Sequence, residues 1–270
     1  MLGQDQRHVL MRFFCILFYC RLSAGKKAPG FHHYPAAVVT AEGFRKFYLE
    51  HNLCQSRLDG RTGSSACAVI AIKVCTAVLD GSLPLFNVNG NPSECIPEFL
   101  QCMREGNLAY DSCPATVKCD LLGVFDAVSL PPLANVRVAK ELGFRNAGDC
   151  SRVLESVAQG VTGNNLLCAG VVVQTPYSVA VVAMPGHQFA IFDSHAHGDK
   201  GALIACTAGN VHLDSVACLL SELVGHFLDS HCCLLELCLG VRFLVFLAVF
   251  LFFFIRVSLS NCQVMKWFGL

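Results

Sequence analysis

The sequence has no surplus of either charge: Lys+Arg and Asp+Glu number 20 each in 270 residues, for a formal net charge of zero. A chain that grips phosphates carries a basic excess, so nucleic acid is excluded as an expected partner. None of the 17 cysteines stands in a CxxC pair, and no C-x2-C…H-x3-H spacing occurs. That absence removes the usual zinc reading, and no metal or other cofactor is expected. No internal repeat is visible either.

What the chain does have is apolar content. Hydrophobic residues make up 54%, and the mean hydropathy is +0.51. Many cysteines lie inside apolar runs, such as Cys75 in IKVCTAVL and Cys206 in ALIACTAG. Most are therefore expected to be small buried hydrophobes in a reducing, cytoplasmic setting. The length suits one substantial domain with appendages.

Three regions differ in texture. Residues 1–35 stay unassigned: the apolar stretch between Arg12 and Arg21 holds eight residues, too few to span a bilayer and poorly placed for a signal peptide. Residues 36–230 read as the folded domain. Residues 231–270 form a hydrophobic tail, with 13 uninterrupted apolar residues at 243–255. A transmembrane segment over about 237–255, and hence membrane association, is one expectation for it. A non-native tail from a mis-spliced gene is the other.

Within the domain, helical spacing begins at TAEGFRKFYLEHNL, with Thr40 as N-cap and Phe44, Phe47, Tyr48 and Leu53 on an apolar face. ACAVIAIKVCTAVL and CIPEFLQCMREGNLAYD read as helices, and ANVRVAKELGF and DCSRVLESVAQG as shorter ones. From Leu166 the segments LLCAGVVVQ, YSVAVVAM, HQFAIFDSH and GALIACTA are short, β-branched and separated by turn residues, which predicts an antiparallel sheet. NVHLDSVACLLSELVGHFL closes the domain as a helix. The fold class is α+β, with N-terminal helices packed on a C-terminal antiparallel sheet.

Two blocks carry chemistry. In GRTGSSACAVIAIKV, Gly63, Ser64 and Ser65 precede a helix that starts near Cys67, so the sulfur sits at the positive end of the helix dipole. Such a terminus favours the thiolate and offers N–H groups to an oxyanion. The competing reading is one more buried thiol. In HQFAIFDSHAHG, Asp193 and His195 are two apart, so a strand would put both on one face. A carboxylate that orients an imidazole beside a thiol makes a nucleophilic site. His187 and His197 compete with His195 for the role of base, and the three histidines also admit a weaker metal reading. Gln55 supplies an amide that could donate to an oxyanion.

CQSRLDGRTGSSACAVIAI followed by FAIFDSHAHGDKGALIA resembles the deubiquitinase domain of herpesvirus large tegument proteins, a papain-like cysteine peptidase family. It also resembles uncharacterised animal-genome proteins with GSSAC and DSHxHG blocks. The resemblance spans roughly residues 40–225 and rests on two short blocks and their order. It implies a papain-like fold, Cys67 as nucleophile, His195 as base, Asp193 as its orienting partner and Gln55 as oxyanion donor. The implied reaction is hydrolysis of an isopeptide or peptide bond at the C-terminus of ubiquitin or a ubiquitin-like protein. The alternative is a catalytically inactive binding or genome-relic domain of the same fold. A third reading makes the chain a membrane-anchored structural protein with incidental His and Cys.

Overall fold

The computed structural model describes residues 38–39, 43–85, 95–114, 122–164, 167–207, 212–225 and 230–237, all within the compact unit Pro35–Leu270. Thr40, the N-terminal segment 1–35 and the apolar run 243–255 lie outside the described residues. So does the candidate span 237–255 apart from Leu237. Among the described residues no helix is long and apolar enough to cross a membrane.

Eight strands form one sheet in the order β1-β2-β7-β6-β5-β4-β8-β3, and every neighbouring pair is antiparallel. The strands are β1 (Val38–Val39), β2 (Phe44–Tyr48), β3 (Val136–Phe144), β4 (Cys168–Gln174), β5 (Tyr177–Met184), β6 (Gln188–Asp193), β7 (Leu203–Thr207) and β8 (Ser230–Leu237). Among the described residues five α-helices accompany them: α1 (Cys67–Leu79), α2 (Ile96–Asp111), α3 (Val124–Val128), α4 (Ala147–Asn164) and α5 (Leu213–Val224).

The sheet is buried on both faces, and this governs how its strands read in sequence. Val181, Ile191 and Ala205 pack with Leu154 and Ala158 of α4 and Val216 and Leu220 of α5 in one core cluster. On the opposite face α1 packs against β4, β5 and β8, and Phe99 of α2 meets Phe192 of β6 edge-on at 5.4 Å between ring centroids. Helix α1 buries nine of its 13 residues. A helix apolar all round belongs in the interior rather than on a surface, and its run of Ala, Val and Ile reflects that.

Three segments differ from the sequence expectation. Phe44–Tyr48 is a strand, not a helix. Phe44 and Phe47 are both buried, and their three-residue spacing mimics a helical face because the strand is covered on both sides. Val136–Phe144 is also a strand. A bulge between Val138 and Lys140 switches the buried side, so a simple alternation is lost. Phe144 joins the α4–α5 core cluster while buried Val136 does not. Ser230–Leu237, which from His231 onward is expected to belong to the tail, is strand β8 between β4 and β3. The expected helices at α1, α2, α4 and α5, and the four strands β4 to β7, are present.

One close approach fixes the helix that begins at Cys67. A Cβ on Gly106 of α2 would lie 2.5 Å from Cγ1 and 3.0 Å from Cα of Ile70, in the first turn of α1. Backbone cannot give way as a side-chain tip can. Gly106→Ala is expected to lower stability by about 1–2 kcal/mol, the overpacking cost exceeding the gain in helix propensity. The midpoint of thermal unfolding measures it.

Candidate active site

Helix α1 begins at Cys67, as the Gly-Ser-Ser turn predicts, with Ala66 at the N-cap position. No side chain caps the helix there. Instead the Ala66 N–H donates to Ser64 Oγ at 3.1 Å, which secures the turn one residue further out. The Cys67 thiol is 7% exposed and reaches the Pro176 carbonyl at 3.5 Å. The β4–β5 turn is thus one wall of the site.

Strand β6 ends at Asp193, so His195 lies just beyond the sheet and the expected strand-face pairing is replaced by a tighter device. One carboxylate oxygen, Asp193 Oδ1, accepts the His195 backbone N–H at 3.0 Å and faces His195 Nδ1 at 2.5 Å. An aspartate that bonds the backbone two residues on closes an Asx turn, and here the same oxygen holds the ring. Tyr177 packs edge-on against His195, with ring centroids 5.1 Å apart.

The electrostatics follow from burial. Asp193 is completely buried. Burial alone would raise its pKa, but contacts from His195 and His197 hold it well below the usual carboxylate range. Burial likewise favours neutral His195, yet hydrogen bonding and negative charge from Asp193 and from the Cys67 sulfur outweigh it and lift the imidazole to about 10. Cys67 and His195 meet at one turn: the thiol lies on the Pro176 carbonyl, and the His195 ring lies on Tyr177, the next residue. Elsewhere burial pushes Cys102 and Cys150 up to about 12 and Cys206 and Cys233 up to about 11. Those thiols stay protonated and inert.

The competing histidines separate clearly. His187 stands in the turn before β6, at the far end of the strand from Asp193. The five steps from Gln188 to Asp193, at about 3.3 Å each, set it beyond a strand roughly 16 Å long, where it lines another cavity with Arg152, His212 and Asp214. His197 stays near: Nε2 is 3.2 Å from Asp193 Oδ2. Neither of these two atoms has an aligned hydrogen-bond partner, so we read the contact as electrostatic rather than as a hydrogen bond. The His197 ring packs against Tyr48.

Gln55 joins the two halves. Its backbone N–H donates to the Ser194 carbonyl at 2.8 Å, and its Oε1 accepts from Ser194 Oγ at 2.7 Å. Its Nε2 donates to the Ser64 carbonyl at 3.3 Å, three residues before Cys67. The loop that carries it is docked by Gly201, where a Cβ would sit 2.0 Å from the Glu50 carbonyl oxygen. Ser64, Pro176 and Tyr177, and Asn107 of α2, whose Nδ2 donates to the Gln55 carbonyl at 3.0 Å, were not singled out by sequence for these contacts. Their signals are ordinary turn and helix residues until the chain is folded. Among the described residues one grouping has metal-ligand potential, Glu141, His231 and Cys233. It lies on the β3–β8 pair and not at Cys67.

The site is thus a thiol at a helix N-terminus, opposed by an imidazole that a buried carboxylate holds, with a pinned amide alongside. No protein-family model and no curated protein matches the chain. Among solved structures, the chain is similar to the ubiquitin-specific protease encoded by a murine cytomegalovirus tegument protein, in complex with a ubiquitin-based suicide substrate. That match has a TM-score of 0.47 and 14% identity, and covers 71% of this chain and 87% of the other. It is also similar to the Pseudomonas avirulence protein AvrPphB, with a TM-score of 0.39 and 12% identity over 64% of this chain and 92% of that one.

Proposed function

We propose that the chain is a papain-like cysteine peptidase of deubiquitinase type, with Cys67 as nucleophile, His195 as general base and acid, Asp193 as its orienting partner and Gln55 as oxyanion donor. The observation that carries this reading is the Cys67 thiol at the start of α1, set against the Pro176–Tyr177 turn that also packs the Asp193-held His195 ring. The ubiquitin-like substrate rests on the resemblance of the GSSAC and FDSHAHG blocks. A nearly buried thiol also suits a slim C-terminal tail better than a bulky internal loop. The peptidase unit comprises residues 36–230 extended by β8, and its free thiols fit a reducing compartment such as the cytoplasm.

The chemistry balances with these groups alone. His195 takes the Cys67 proton, and the thiolate sulfur bonds to the carbonyl carbon of the scissile amide. The resulting oxyanion faces the N-terminal N–H groups of α1, which lack intrahelical acceptors. It also faces the second N–H of Gln55 Nε2, since the first is spent on Ser64. His195 then passes its proton to the leaving amine as the carbon–nitrogen bond breaks, leaving a thioester. Water attacks the thioester with His195 as base, releasing the carboxylate product and the thiol.

The test is hydrolysis of a fluorogenic C-terminal amide of ubiquitin, set against the same fluorophore on a short peptide. Turnover of the ubiquitin substrate is expected, with kcat reduced about 100-fold and KM nearly unchanged in Gln55→Ala. A folded protein that turns over neither substrate refutes the reading.

A further inference from the structure

We infer that Asn107 is a positioning residue that sets the Gln55 amide in register with the Cys67 turn; the inference rests on the peptidase reading above. Asn107 lies on α2 immediately after Gly106, the residue whose missing side chain lets α2 reach the first turn of α1. It is 3% exposed, and it uses both ends of its amide. Asn107 Nδ2 donates to the Gln55 backbone carbonyl at 3.0 Å, and Oδ1 accepts from Ser64 Oγ at 2.6 Å.

These two partners are themselves joined, because Gln55 Nε2 donates to the Ser64 carbonyl. Ser64 Oγ in turn accepts from the N–H of Ala66, next to the nucleophile. Asn107, Gln55 and Ser64 therefore form a closed ring of hydrogen bonds that abuts Cys67 on one side. Through Ser194 it abuts the Asp193–His195 turn on the other. An apolar side chain would fill a helix–helix contact at lower desolvation cost, and asparagine is a weak helix former. A closed, largely buried polar ring specifies one geometry. The geometry held here is the orientation of the Gln55 amide, because the Ser194 hydroxyl fixes the oxygen end and the Ser64 carbonyl fixes the nitrogen end. That leaves one N–H of Nε2 unspent.

The test separates positioning from general support of the fold. Alkylation of Cys67 by iodoacetamide needs a reactive thiol but no oxyanion donor, whereas amide hydrolysis needs both. Asn107→Leu and Ser64→Ala are each expected to lower kcat on the ubiquitin amide about tenfold or more with KM unchanged, while Cys67 alkylation stays within about twofold of the parent. Adding either change to Gln55→Ala should cost little more, because residues of one unit are not additive. Ser64→Ala deletes a single hydroxyl and carries the test if Asn107→Leu does not fold. Unchanged turnover in the folded variants overturns the inference, as does alkylation that falls by the same factor as turnover. A parent protein that alkylates at Cys67 yet hydrolyses nothing instead overturns the peptidase reading, and Asn107 then loses the role assigned to it.

Discussion

Cys67→Ala is expected to lower hydrolysis of the ubiquitin C-terminal amide by on the order of a million-fold, the scale on which deleting a nucleophile removes covalent catalysis while leaving binding. The effect is confined to chemistry. The thiol reaches the Pro176 carbonyl at 3.5 Å, a long and weak contact, and the helix it begins is held by Ala66, Ser64 and the packing of α1 on the sheet. The variant should therefore bind ubiquitin and unfold close to the parent midpoint. Cys75→Ala supplies the contrast. That thiol is buried in the same helix and donates to the Gly170 carbonyl at 3.3 Å, so its loss is expected to cost stability and spare turnover. Steady-state turnover and thermal unfolding on both variants distinguish a nucleophile from a packed thiol.

Asp193→Asn carries the second large effect, a fall in kcat of about 10⁴-fold, because an amide no longer holds the imidazole in the productive tautomer or balances its charge. Its stability cost is also large. The carboxylate is wholly buried between His195 and His197, and breaking a buried pair costs about 3–5 kcal/mol. The two ionisations give this a pH signature. His195 has its pKa raised from 6.5 to about 10, so the stability it contributes is present below about pH 6.5 and is lost as pH rises toward about 10. Asp193 is shifted down from 3.8, so its contribution is present above that value and is lost as pH falls below it. In the parent, activity should accordingly persist well above neutral pH, with an alkaline limb approaching pH 10. In Asp193→Asn that limb should move down toward the ordinary histidine range. A parent limb near pH 6.5 would contradict the arrangement.

How far the molecule could be read in advance depends on whether the deciding contacts are local. Helix α1 announces itself through a mostly apolar run of helical length after a Gly-Ser-Ser turn, broken only by Lys73 and Thr76, and β4 to β7 through β-branched segments set between turn residues. β2 does not, because a strand buried on both faces spaces Phe44 and Phe47 as a helix would. β3 is obscured by its bulge, which sends Val136 and Phe144 to different sides. β8 is hidden because SHCCLLEL merges with the apolar residues that follow it. At the site, Cys67, Asp193, His195 and Gln55 stand in motifs that can be recognised along the chain. The Asx turn that joins Asp193 to His195 could also have been inferred, since aspartate two residues before the bonded N–H is its signature. Asn107, Pro176 and Tyr177 could not. They come to the site only through the crossing of α2 on α1 and the β4–β5 turn.

The central claim is that one cysteine, placed opposite an Asp-held imidazole, reacts with a carbonyl presented by a ubiquitin-like tail. The most direct measurement is the intact mass of the protein after reaction with ubiquitin bearing a C-terminal thiol-reactive electrophile, followed by peptide mapping of the adduct. A single adduct on Cys67, absent from Cys67→Ala and strongly slowed in His195→Ala, is the predicted result. A folded protein that forms no adduct, or one labelled equally well at Cys168 or the exposed Cys218, would contradict it.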